Sequence, residues 1–481
     1  MQSFNPIILS LCLLLTPLFL SAQATEEPVT IGFKTSIKSE VLGEERPILI
    51  RLPKDYEESD QRYPVIYVMD GAGHFHHTTG TVNFLSRNNL IPASIVVAIP
   101  NTDDRTRDLT PPEVSDTPRF PTAGGADNTL QFMADELMPF INSKYRTTDY
   151  KVLIGHSFGG LFAIHAMLHH PGLFNAHLAI SPSLWWNDQD KVTELEEYLE
   201  NKPDNATKLY MTLGNEDGMM KGGVWKFAAV LGENDPTNIN WKFIPMEQET
   251  HGTVPHRSTY NGLESLFEDW RIADVYDLFQ SGGLAAIDQH YEYIQKTYGT
   301  KDLAPPKGLL NNLGFQLLRR AQAKDALSVF EQMTVRFPKS SDGFQGLGAA
   351  YHALDDKEAA IKNYKKALDL NPGSEMALNE LEKLGVKDQS KEIKLADNVL
   401  KSYVGKYQLP QGMILEITKK EDYIYGQPSG QDKRKMIPKA KDAFYLNGMD
   451  IQVKFQRDEQ ENITGVHVTI NSEVTMEGTK L

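Results

Sequence analysis

The chain has 481 residues, 40% of them apolar and 9% aromatic, which is enough for a packed core and for more than one domain. Its 64 acidic residues outnumber 49 Lys and Arg, and the formal charge of −15 speaks against nucleic acid as a partner. There is no GxxxxGK[ST] phosphate loop, no HExxH and no paired CxxC, and the one cysteine, Cys12, lies in the first apolar run.

That run, IILSLCLLLTPLFLSA, ends at Ala22-Gln23-Ala24, the pattern of a secretory signal peptide cut before Thr25. Residues 1–24 are therefore expected to leave, and Cys12 with them. The mature chain would hold no thiol, no disulfide and no membrane span, and the expected location is periplasmic or secreted.

From residue 25 to about 275, short β-branched runs alternate with helical patterns. ERPILIRLP (45–53), YPVIYVMD (63–70), ASIVVAIP (93–100), YKVLIGHS (150–157), AHLAISP (176–182), KLYMTLG (208–214) and NWKFIPM (240–246) are predicted strands. Several are apolar without alternation, as strands covered on both faces are. Residues 130–145, 159–171, 191–201 and 259–272 have helical spacing. The alternation predicts an α/β domain with a mostly parallel sheet.

Residues 276–386 are expected to be all-helical. Setting 307–340 against 341–374, an offset of 34, pairs Leu313 with Leu347, Gly314 with Gly348, Ala326 with Ala360, Phe330 with Tyr364 and Pro338 with Pro372. Period and pattern resemble tetratricopeptide repeats, with helices near 281–298 and 375–384 as caps. After the charged linker GVKDQSKEIK, residues 395–481 alternate apolar and polar positions between closely spaced turns. An antiparallel β-domain, barrel or sandwich, is predicted there. Its YVGKYQLPQG (403–412) resembles a β-rich module appended to secreted serine hydrolases, and no chemistry is read in it.

The chemistry lies in Gly155-His156-Ser157-Phe158-Gly159, a Gly-x-Ser-x-Gly nucleophile elbow between a predicted strand and a predicted helix. A serine hydroxyl needs a base. The chain order of such sites, serine then acid then histidine, points to His251 in ETHGTVPHRS, after the last strand, with His256 as its neighbour. The acid is expected in GNEDGMM, where Glu216 and Asp217 both stand. Oxyanion donors are expected from the backbone of Phe158 and of Gly71 or Ala72 after YPVIYVMD. Trp185 and Trp186 are candidate substrate contacts as pocket walls, with core packing as the other reading. His74, His76 and His77 of GAGHFHH are placed at the pocket rim, His76 as a candidate substrate contact. The mixed charges of NTDDRTRDLTP (101–111) are read as a salt-bridged turn. No metal and no cofactor is expected.

YPVIYVMDG, NTDDRTRDLTP, GGADNTLQF, GHSFGG, SPSLWW and ETHGTVPHRS, in this order over about 240 residues, resemble the Putative esterase family of α/β hydrolases. Esterase D-like, enterobactin-esterase-like and feruloyl-esterase-like proteins belong to it, and SPSLWW is most like its siderophore-esterase branch. The resemblance implies an α/β-hydrolase fold and a carboxylic-ester hydrolase with serine at Ser157 and histidine at His251. It favours Glu216 over Asp217 as the acid. It also implies a small-molecule ester substrate, cleaved through an acyl-enzyme without a cofactor. Two other functions fit the sequence: an acyltransferase on the same site, and a non-catalytic protein that binds a peptide or protein partner through its repeats.

Overall fold

The computed structural model describes residues 28–54, 56–102, 104–114, 119–201, 205–371, 373–386, 393–446, 451–470 and 474–481. The expected signal peptide lies outside the described residues.

The first part of the chain builds one sheet. Its strands are β1 (Phe33–Lys38), β2 (Glu45–Arg51), β3 (Tyr63–Val68), β4 (Ile95–Ala98), β5 (Thr147–His156), β6 (Ala176–Ile180), β7 (Thr207–Gly214) and β8 (Ile239–Met246). They lie in the order β1-β2-β4-β3-β5-β6-β7-β8. β2 runs antiparallel to β1 and β4, and all pairs from β4 to β8 are parallel. β3, β4 and β6 are buried at every position, which explains their uninterrupted apolar sequence.

The helices between them are α1 (Gly71–Arg87), α2 (Arg105–Leu109), α3 (Ala126–Phe132), α4 (Met138–Lys144), α5 (Phe158–His169), α6 (Asp190–Glu200), α7 (Gly218–Asn234) and α8 (Val254–Leu266). A π-turn over Met133–Leu137 joins α3 to α4. Alternate residues of β3 face opposite layers. Ile66 and Val68 pack with Phe75 and Val82 of α1 and Leu263 of α8, whereas Val65 and Tyr67 pack with Leu130 of α3 and Phe162 of α5.

Six helices follow: α9 (Val275–Tyr298), α10 (Lys307–Arg319), α11 (Ala323–Arg336), α12 (Ser341–Ala353), α13 (Lys357–Leu370) and α14 (Glu375–Lys383). The residues paired by the 34-residue repeat, Leu313 with Leu347, Ala326 with Ala360 and Phe330 with Tyr364, are all buried. Tyr298 at the end of α9 is fully buried against Tyr150 of β5, with ring centroids 4.7 Å apart, so these helices dock on the sheet.

After α15 (Asp397–Ser402) come β9 (Gly405–Gln408), β10 (Ile414–Lys420), β11 (Tyr423–Pro428), β12 (Arg434–Ala440), β13 (Ala443–Leu446), β14 (Ile451–Arg457), β15 (Ile463–Ile470) and β16 (Val474–Lys480). β16 pairs back with β9, and the eight antiparallel strands close a barrel. Closure decides between the two predicted forms, because it removes both sheet edges.

Candidate active site

β5 ends at His156 and α5 begins at Phe158, leaving Ser157 alone to turn the chain, with φ 60° and ψ −115°. L-residues rarely adopt such a backbone, and here the packing imposes it. A Cβ on Gly155 would lie 1.8 Å from the Gly159 carbonyl oxygen, so only glycine lets α5 start that close to β5. Gly159 is less confined. The tighter position is Gly160, where a Cβ would meet the Pro182 Cα at 2.9 Å. The Ser157 N–H donates to Ile180 O, and its carbonyl accepts from the N–H groups of Leu161 and Ser183. Its hydroxyl lies 3.4 Å from the Ser183 hydroxyl, which is the contact the structure gives it in place of one to His251.

His251 follows β8 in the turn before α8. Its Nδ1–H donates to Glu216 Oε1 at 3.0 Å, and its ring packs on His156, next to Ser157, with centroids 4.5 Å apart. Burial works against the charge of Glu216, but hydrogen bonds from His251 and Ser181 outweigh it and hold the carboxyl below its ordinary range. Asp217 is exposed at the start of α7, so of the two adjacent acids it is Glu216 that reaches the imidazole.

The Gly71 N–H donates to the Ile99 carbonyl at 2.8 Å, continuing the β3–β4 ladder. That bond removes Gly71 as a free oxyanion donor, contrary to expectation. Ala72, one residue further into the first turn of α1, is exposed and leaves its N–H to the helix end, as does Phe158 in the first turn of α5. The two helix starts adjoin each other: a Cβ on Gly159 would lie 3.1 Å from Asp70 Oδ2.

The remaining candidates separate. Trp186 is buried and packs against Phe120 and Phe158, so it belongs to the core and not to the pocket wall. Trp185 stays half-exposed, near Phe158 and below the Arg119 guanidinium. His76 points outward from α1. Its neighbours His74 and His77 turn inward, sharing a hydrogen bond of 2.9 Å, and His74 packs edge-on against His156. Burial lowers the pKa of His77 and His156 to about 4, helped by the neighbouring imidazoles. Sequence reasoning placed His74, His76 and His77 at the pocket rim, whereas His74 and His77 pack inward beside His156, and it missed Ser183. The GHFHH spacing on a helix carried the signal for His74 and His77, and nothing pointed to Ser183.

Arg105, Arg107 and Asp108 of NTDDRTRDLTP make the expected salt bridges. Arg105 donates to both oxygens of Asp70, at 2.6 and 2.9 Å, and also to the His156 carbonyl. Asp108 binds the buried Arg46 at 2.5 Å.

A mostly parallel sheet with a strained serine at its C-terminal edge, next to a carboxylate-bound histidine, defines an α/β hydrolase of the serine type. Residues 39–235 match the family model described as Putative esterase, and the chain belongs to that family. Residues 341–374 match Tetratricopeptide repeat, and residues 389–481 match Domain of unknown function (DUF3471). The chain is 31% identical to an IroE-like serine hydrolase from Shewanella oneidensis of known structure, with a TM-score of 0.53, covering 64% of this chain and 99% of the other. It is 36% identical over 155 residues to a siderophore enterobactin esterase of Emericella nidulans, covering 28% of this chain and 50% of that one. It is 34% identical over 142 residues to the ferri-bacillibactin esterase of Bacillus subtilis, covering 26% of this chain and 49% of that one. The chain thus spans about half the length of the curated relatives it matches.

Proposed function

We propose that the protein is an exported serine carboxylic-ester hydrolase. The observation that carries this reading is the strained Ser157 with the His251–Glu216 pair packed beside it through His156. His251 takes the Ser157 proton as the hydroxyl attacks the ester carbonyl. Glu216 holds the imidazole tautomer and balances the imidazolium. The oxyanion forms under the N–H groups of Phe158 and Ala72 and collapses as the alcohol leaves, taking the proton from His251. Water, activated by the same histidine, then releases the acid from Ser157. We place the bond between Ser157 and His251 in the substrate complex, because catalytic hydrogen bonds often form fully only there.

The substrate we propose is a siderophore-type ester with aromatic or apolar acyl groups. The names of the curated relatives support this, as does the wall of Phe120, Phe158 and Trp185 crowned by Arg119. Export rests on residues 1–24. The tetratricopeptide helices offer a surface for a peptide or protein partner, and no helix among the described residues is long and apolar enough to cross a membrane.

The test is labelling by a fluorophosphonate probe together with turnover of a short-chain p-nitrophenyl ester, for wild type beside Ser157→Ala. Wild type is expected to label and turn over, and the variant to do neither. A wild-type protein inert in both assays would overturn the reading.

A further inference from the structure

The helix that starts at Ser157 carries a second group of histidines farther along. His165 and His169 of α5 stand at i and i+4, on one helix face. Glu194 of α6 faces them, and one ligand atom from each of the three lies within 4.8 Å of the others. His165 is only 4% exposed. Its Nε2–H donates to the Asp127 carboxylate at 2.7 Å, while its Nδ1 is buried without a partner. A carboxylate on one imidazole nitrogen fixes the tautomer and turns the other into a lone-pair donor, as behind metal-bound histidines. Burial, partly offset by the Asp127 hydrogen bond, lowers the pKa of His165 to about 4, so the ring is neutral at pH 7.

His169 Nε2 lies 2.9 Å from Glu194 Oε2. Two ligands of one tetrahedral zinc stand about 3.3 Å apart, so a small opening would let an ion replace the proton between them. One cation is already near. The buried Lys191 ammonium donates to both Glu194 oxygens, at 2.6 and 2.5 Å, and stands 3.9 Å from Asp190. His170 approaches Asp127 at 3.7 Å. Asp127, Asp190 and Glu194 together outweigh the one ammonium, and the cluster favours a further positive charge.

We propose that His165, His169 and Glu194 bind a zinc-type divalent cation that ties α5 to α6, with Asp127 orienting His165 from behind. Such an ion stiffens the helix that launches the elbow and takes no part in ester chemistry. The test uses the full chain, made without a histidine tag and stripped with chelator, titrated with ZnCl2 by calorimetry and with Co2+ by visible absorption. A single equivalent of zinc, a tetrahedral cobalt spectrum and a zinc-dependent rise in Tm are expected, all lost in His169→Ala. Asp127→Asn should weaken binding roughly tenfold, and Lys191→Met, which removes the competing ammonium, should tighten it. Zinc binding that is unchanged in both His169→Ala and Glu194→Gln would overturn the proposal. So would the absence of binding in wild type and Lys191→Met alike. Turnover of p-nitrophenyl ester enters none of these readouts, so this site and the esterase reading fail separately.

Discussion

The sheet and the barrel use eight strands each, and the candidate catalytic serine stands at an edge of the sheet. In the sheet, β3, β5 and β6 run parallel and end at one edge, where the chain turns through Asp70, Ser157 and Ser181 with φ of 55°, 60° and 38°. Consecutive strained turns collect there, with two helix starts beside them. In the barrel, antiparallel pairing sends successive strand ends to opposite mouths, and positive φ falls on hairpin residues such as Glu421 and Glu461. Its interior is filled by Tyr403, Tyr407, Phe444 and Phe455, with Tyr403 stacked on Phe455 at 4.4 Å, leaving a cavity of about 160 Å³ beside Leu400 and Met436. Parallel pairing gathers strand ends, and antiparallel pairing disperses them.

Perturbations of the two regions should therefore read differently. The largest effect is expected from Ser157→Ala, a fall of about 10⁵ to 10⁶ in kcat with the far-UV spectrum unchanged. Glu216→Gln should cost about 10⁴ in kcat, whereas Asp217→Asn leaves turnover intact, and p-nitrophenyl ester kinetics separate the two. An equal loss in both variants would argue against the bond between His251 and Glu216.

Acid should separate the regions next. Burial lowers the pKa of His77, His156 and His165 to about 4 and of His177 to about 3. The unfolded chain protonates its histidines near pH 6.5, so below that pH it binds more protons than the folded sheet does, and stability falls until the folded values are reached. All five tryptophans, at 185, 186, 225, 241 and 270, precede the barrel. The urea midpoint by tryptophan fluorescence is thus expected to drop between pH 6.5 and 4, while hydrogen exchange of the barrel amides changes less. The smallest effect belongs to Tyr407→Phe, which removes the hydroxyl bond to the Tyr403 carbonyl at 2.7 Å. It should cost about 1 kcal/mol in urea unfolding and nothing in turnover.

Much of this was legible in the sequence where one physical signal dominated. The apolar strands β3 to β7, the elbow and the 34-residue period were readable because burial on two faces, glycine sterics and repetition leave patterns that context does not erase. β1 was not, because it is largely exposed and carries no apolar alternation. Nor was α1: GAGHFHHTTGTVN is poor in strong helix formers, and tertiary packing of Phe75, Val82 and Leu85 holds it. At the site, Ser157, His251 and the order of residues could be read, but not which of Glu216 and Asp217 turns inward, nor that the Gly71 N–H serves the sheet. Those depend on side-chain direction and on ladder register, which a linear pattern does not carry.

The position of Tyr150 on β5 has its own consequence. At about 3.3 Å per residue, the seven residues from Tyr150 to Ser157 span roughly 23 Å. The repeat helices grip one end of this strand through Tyr298, and the reactive hydroxyl stands at the other. One strand thus separates the seam with the repeat helices from the serine turn, so a change at the seam and a change at the turn are read at opposite ends of β5.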